Sequence, residues 1–232
     1  MTLGIVVSLP RELRSLTDQP IPMGAWRAIS NNILVVVSGI GAERAYAAGT
    51  LLVSQGATAL LSWGCAAALD ERVTPGCLVL PKRIISANGE IQSVSTEWHQ
   101  RLYRALESKY PVCTEALVES DNVVKTSPEK RALAERTQAA ATDMESAAQA
   151  RLAKDCGLPF MAIRAVVDTL STEIPDNVLR ALDQQGRVNL WNLLTGTVPA
   201  DWIKIIRLGF QFNLARRTLK KTRNLVLDAS QF

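Results

Sequence analysis

Short, uninterrupted apolar runs alternate along this chain with stretches in which apolar positions recur every three or four residues. Leu3–Ser8, Ile33–Ser38, Thr58–Ser62, Cys77–Pro81, Ala116–Glu119 and Phe160–Val167 predict β-strands. Several of them lack polar alternation, the signature of strands covered on both faces. Between them, Glu43–Ser54, Glu97–Lys109 and Glu129–Arg136 predict helices, the last with Ser127 as N-cap and Pro128 at the first helical position. A further helix over Asp143–Cys156 is stopped by Gly157 and Pro159. This alternation predicts an α/β fold: a single domain with a central mixed β-sheet flanked by helices, plus a C-terminal amphipathic helix.

The pattern changes twice near the end. Residues 171–200, punctuated by Pro175 and Gly186, predict two short helices over the end of the sheet. From Asp201 to Ala215 a helix places Lys204, Arg207 and Gln211 on one narrow face, with Trp202, Ile203, Ile205, Ile206, Phe210, Phe212 and Leu214 covering most of the rest. The expected organisation is therefore a body over residues 1–200 and a basic, amphipathic appendage over 201–232. The stretch Ala45–Leu69 is uncharged for 25 residues, yet Ser54-Gln55-Gly56 breaks it. It reads as helix, turn and strand rather than as a bilayer span.

Composition sharpens this picture in one respect. With 232 residues, 47% hydrophobic and 21% charged, the chain falls outside the disordered, collagen-like and coiled-coil classes. Its net charge of +4 is unevenly placed: seven basic residues stand against two acidic ones from Asp201 onward, leaving the body near neutral. An electrostatic partner therefore belongs to the tail. A helix docked on the body or on a second copy is one reading of that tail. An interfacial helix on anionic lipid is the other. No basic patch interleaved with aromatics occurs in the body, so nucleic acid is not an expected partner.

Four cysteines (Cys65, Cys77, Cys113, Cys156) in apolar surroundings, without a CxxC pair, predict reduced, buried thiols. One histidine, His99, leaves no zinc set, and beside Trp98 on a predicted surface helix it reads as solvated. Trp191 either covers a site or anchors a helix. The segment Gly39-Ile40-Gly41-Ala42-Glu43-Arg44 has the first two glycines of a dinucleotide fingerprint but Arg44 in place of the third. What remains is a strand-to-helix turn whose amides, with the Arg44 guanidinium, suit an anion or a hydroxyl-rich ligand.

Four segments carry more. They are Gly4-Ile5-Val6-Val7-Ser8-Leu9-Pro10-Arg11-Glu12, then Ser38-Gly39-Ile40-Gly41, then Ser62-Trp63-Gly64-Cys65-Ala66-Ala67-Ala68-Leu69 with Pro75-Gly76-Cys77. The fourth is Thr142-Asp143-Met144-Glu145-Ser146-Ala147, leading to Arg164-Ala165-Val166-Val167-Asp168. In order and spacing, from about residue 3 to 170, the chain resembles the superfamily of purine nucleoside phosphorylases and methylthioadenosine/adenosylhomocysteine nucleosidases. Within it, the short chain, the setting of Glu12 and the basic apolar tail look most like the hopanoid-associated phosphorylase branch.

The resemblance implies cleavage of the N-glycosidic bond of an adenine-type nucleoside, by phosphorolysis or hydrolysis. Asp168 is expected to hold the proton given to the purine N7, and burial would raise its pKa towards that task. Glu145 grips the ribose hydroxyls and Met144 packs on the sugar. Glu12 stands where the nucleosidases activate water. A phosphorylase would bind a dianion there, with Arg14 and Arg44 as the compensating charges and inorganic phosphate as co-substrate; no other cofactor and no metal are implied. The turn Gly64-Cys65-Ala66-Ala67-Ala68 departs from the family's usual Ser or Thr and extra Gly. Gly39, Gly41, Gly64, Cys65, Val123 and Val124 complete the expected binding set, the two valines where the family places an aromatic base-stacking loop. The choice between water and phosphate stays open at this level, with the branch resemblance leaning to phosphorolysis. A lipid-linked adenosyl hopanoid is the substrate this branch implies, with a cytoplasmic enzyme, placed peripherally on the inner membrane face or free, working as a homodimer or larger homo-oligomer. The competing reading is a non-catalytic nucleoside-binding or membrane-scaffold protein that keeps the fold.

Overall fold

The computed structural model describes residues 1–176 and 199–230. The predicted helices of 171–200 and Trp191 fall largely or wholly outside the described residues.

Strand β1 (Leu3–Val7) and β3 (Ile33–Val37) are five-residue apolar runs with every residue buried. They pair in parallel, as strands covered on both faces do. Between them lie α1 (Pro10–Leu16) and an exposed edge strand, β2 (Trp26–Ser30). Helix α2 (Ala42–Ser54) leads to β4 (Ala59–Ala68), the longest strand. Its first half pairs with β1, and its last residues pair antiparallel with β10 (Ala141–Asp143). Along its other edge runs β11 (Phe160–Asp168), in parallel. Eleven described strands form one mixed sheet, completed by β5 (Leu78–Val79), β6 (Arg83–Ile85), β7 (Ile91–Ser93), β8 (Val112–Cys113) and β9 (Leu117–Glu119). Helices α3 (Thr96–Leu106), α4 (Ser127–Thr137) and α5 (Ser146–Asp155) flank it.

The structure corrects several expectations. The segment Gly64–Ala68, expected as a turn, continues β4, because pairing with β11 and β10 satisfies its backbone on both edges. Thr126, not Ser127, caps α4: its hydroxyl accepts from the Glu129 amide at 3.3 Å, while Glu129 Oε2 accepts from the Thr126 amide at 3.1 Å. That reciprocal pair outcompetes a cap one residue later. Helix α5 begins at Ser146 rather than Asp143, since Ala141–Asp143 pairs with β9 and β4.

His99 is buried rather than solvated; its Nε2 lies 3.0 Å from the Leu80 carbonyl and donates to it. Burial and nearby Lys82 keep its pKa below the usual value. All four thiols are free, but only Cys77 is buried and Cys156 is exposed. Among the described residues no helix is long and apolar enough to cross a membrane.

The last helix, α6 (Pro199–Ala229), is twice the expected length. Its second half is inside the molecule: Ala215, Leu219 and Val226 have no exposed surface and belong to the same core as the sheet. Arg223 donates to the Leu16 carbonyl, and Trp98 Nε1 to Ser230 Oγ at 3.0 Å. The first half differs, with Ile203, Ile206, Phe210 and Leu214 exposed along one ridge.

Candidate active site

The chain leaves β1 through Ser8-Leu9 and enters α1 at Pro10, whose missing N–H costs nothing at a first helical position. The Leu9 amide has no helical partner and donates to Glu12 Oε2 at 3.0 Å. Glu12 Oε1 accepts from the Cys65 amide of β4 at 2.7 Å, so both oxygens are fixed. Gly64 makes this approach feasible, because a Cβ there would stand 2.8 Å from Oε1. Burial raises the Glu12 pKa, and the nearby Arg164 guanidinium only partly offsets it.

Gly41 sits at φ 104°, a left-handed-side conformation that glycine adopts without strain, and caps α2. Its amide points across to Glu145 and donates to Oε1 at 2.9 Å. Glu145 is itself the N-cap residue of α5, and the Met144 amide donates to its Oε2 at 3.3 Å. Burial, then the adjacent Asp143 charge, push the Glu145 pKa up to about 8.

Beneath it lies a closed ion pair. Arg164 Nε donates to Asp143 Oδ2 at 2.7 Å, Nη2 to Ser62 Oγ at 2.6 Å and Ser146 Oγ at 2.9 Å, and Nη1 to the Ile163 carbonyl at 3.1 Å. Every face of that guanidinium is used within the protein, which leaves it as a fixed positive charge behind the carboxyls.

At the end of β11 the register with β4 shifts between Val166 and Asp168, a bulge that re-aims the last side chain. Asp168 is buried, and burial raises its pKa against the opposing pull of Lys130. Sequence reasoning missed Lys130. It is wholly buried on α4, and its ammonium pairs with Asp168 Oδ2 while donating to the carbonyls of Thr169 at 2.8 Å and Thr172 at 3.0 Å. On a helix dense in charge its position gives no sign of burial; only the fold reveals it.

One cleft of about 210 Å³ gathers these groups. Glu12, Cys65, Val123, Val124, Met144, Glu145 and Asp168 all line it. Gly41 and Gly64 lie just behind, holding Glu145 and Glu12. Gly39 is adjacent to the Arg44 side chain. Arg14 and Arg44 do not line the cleft; both lie on exposed sides of their helices. Ile174 and Phe212 add apolar wall that the sequence did not announce, Phe212 from the inner face of α6.

A buried carboxyl that can carry a proton faces a carboxyl fixed by backbone amides across an apolar cleft, with a third able to receive hydroxyls. That constellation, at the carboxyl ends of the parallel strands, can give a proton, take one and bind hydroxyls. The chain belongs to the phosphorylase superfamily, whose family description matches residues 2–190. It is an enzyme of the nucleoside phosphorylase and nucleosidase class.

Solved structures share its fold at low identity. Futalosine hydrolase of Helicobacter pylori is 15% identical, with a TM-score of 0.76 over 98% of this chain and 97% of that one. The methylthioadenosine/adenosylhomocysteine nucleosidase of Neisseria meningitidis is 16% identical (TM-score 0.74, 98% and 99% covered), and that of Streptococcus pneumoniae, bound to 8-aminoadenine, is 18% identical (TM-score 0.73, 99% and 100%). No curated protein matches the sequence.

Proposed function

We propose that this enzyme hydrolyses an adenine-type nucleoside, with water rather than phosphate as the attacking group. The observation that carries the choice is Glu12, a carboxyl fixed in the cleft by the Leu9 and Cys65 amides, which suits taking a proton from water and disfavours an attacking anion. Four carboxyls (Glu12, Asp143, Glu145, Asp168) surround the cleft and two cations stand behind them, Arg164 and Lys130, both with their donors engaged by the protein. With both cations already engaged and no guanidinium of the described residues lining the cleft, a phosphate dianion would find no counter-charge there. This reverses the lean that the branch resemblance suggests. In the reaction Glu12 takes a proton from water as its oxygen attacks C1′. The C1′–N9 pair leaves with the base, and Asp168 delivers a proton to N7. Glu145 holds the ribose hydroxyls and Met144 the sugar face. Adenine is the base by analogy with the nucleosidases of like fold.

The finer reading concerns the 5′ side. Ile174 and Phe212 give the cleft an apolar margin, and α6 carries its exposed ridge of Ile203, Ile206, Phe210 and Leu214 on the face opposite Phe212. The ridge runs on into exposed Arg217 and Lys221, with Arg207 beside it, and the helix has no acidic residue from Trp202 to Leu227. Such a surface suits anionic lipid, and a nucleoside bearing an apolar 5′ chain, an adenosyl hopanoid among them, would be met there.

The test incubates the enzyme with adenosine and 5′-apolar adenine nucleosides, with and without phosphate, and identifies the sugar. Free sugar formed at an undiminished rate without phosphate is expected. A sugar 1-phosphate overturns the hydrolytic reading.

A further inference from the structure

The strongest unexplained feature is Lys130, a wholly buried ammonium whose donors go to Asp168 Oδ2 and to two carbonyls of the turn that follows. Burying a lysine is costly unless its charge and every donor are met, and here they are. The same ion pair could have been an apolar contact at less cost, so its retention at the proton-carrying carboxyl calls for a chemical reason.

We infer that Lys130 is the positioning residue of the acid: it fixes Asp168 by one oxygen, leaves the other to face the base, and stabilises the carboxylate left once the proton has moved. This rests on the assignment of Asp168 as the acid. When the O–H bond of Asp168 breaks and the N7–H bond forms, a negative charge appears on a buried side chain in an apolar cleft. Without a counter-ion that charge would be expensive, and proton transfer would stall. Lys130 supplies the counter-charge in advance, at no reorganisation. Its influence has a second face: it also makes Asp168 easier to deprotonate in the resting enzyme, so activity ends at a lower pH than burial alone would set. Among the described residues, the other ionisable groups lining the cleft with Asp168 are Glu12 from α1, Cys65 from β4, and Asp143 and Glu145 from the end of β10 and the start of α5, with Arg164 of β11 bound to Asp143. Lys130 is the cation in direct contact.

The test compares pH–rate profiles of base release for wild type, Lys130→Met, Lys130→Gln and Asp168→Asn, with folding followed by circular dichroism. In Lys130→Met we expect kcat to fall about tenfold or more, KM to change little, and the basic limb to move up by about one pH unit or more as Asp168 keeps its proton longer. In an Asp168→Asn background the same change should cost nothing further. A uniform fall with an unmoved basic limb, additivity with Asp168→Asn, or failure of both Lys130 variants to fold makes the ammonium a structural prop and overturns the inference. Wild-type base release by Asp168→Asn would instead overturn the assignment of the acid, whatever Lys130 does.

Discussion

Glu145 has to be a strong acceptor for ribose yet sits where a charge is poorly solvated. Its pKa, raised to about 8 by burial and by Asp143, means that the folded protein holds this proton more tightly than the unfolded chain, where the ordinary value is 4.5. Stability from this group is therefore complete below pH 4.5 and is lost as pH rises towards 8. The melting temperature of the wild type should fall across pH 5 to 8.5, and Glu145→Gln, which cannot ionise, should flatten that fall. An equal slope in both proteins would show that Glu145 is not the group responsible. Catalysis asks the reverse of stability here, since a riboside offers hydroxyls that a carboxylate accepts better than an acid does. Bound ribose and the ionised form favour each other.

At the scale of elements, the site depends on where β4 and α1 meet. Methyl addition at Gly64 pushes against Glu12 Oε1, an atom already committed to the Cys65 amide. Gly64→Ala should leave the fold nearly unchanged, because the neighbour is the tip of a side chain, while base release falls about tenfold or more through a displaced carboxyl. Melting curves and rates measured together check this, and undiminished rates would remove Glu12 from the reaction. The same junction explains what was legible in advance. Apolar runs such as Ile33–Val37 declare buried strands by themselves, and spacing with resemblance singles out Glu12, Glu145 and Asp168, which the fold brings to one cleft. The continuation of β4 to Ala68 was not legible, because small residues such as Ala66-Ala67-Ala68 carry no strand preference until two neighbours supply hydrogen bonds. The strands β6, β7, β8 and β10 escaped because runs of two or three residues are too short to show a period. Lys130 and His99 escaped because burial of a polar side chain is decided by tertiary partners, Asp168 in one case and the Leu80 carbonyl in the other.

For the molecule as a whole, α6 joins two roles that the sequence kept apart. Half of it fills the core and half presents an apolar, cationic ridge. Deleting it would therefore test folding rather than docking, and the informative variant is Ile203→Asp with Phe210→Asp, which leaves Ala215, Leu219 and Val226 in place. This variant should bind vesicles of phosphatidylglycerol at least tenfold more weakly than wild type, and wild-type binding should weaken as salt rises. Unchanged vesicle binding, or loss of a dimer on gel filtration instead, would assign the ridge elsewhere.

The bond between Arg223 and the Leu16 carbonyl spans 207 positions of chain, which has a consequence for how the enzyme comes into being. Contacts of that separation close late, after local strands and helices have formed. A chain folded only as far as β11 would lack Ala215, Leu219 and Val226 from its core as well as Phe212 from the wall of its cleft. Core and cleft wall are thus completed by one and the same helix, so a copy in which that helix has not docked would lack a sealed cleft and part of its core together.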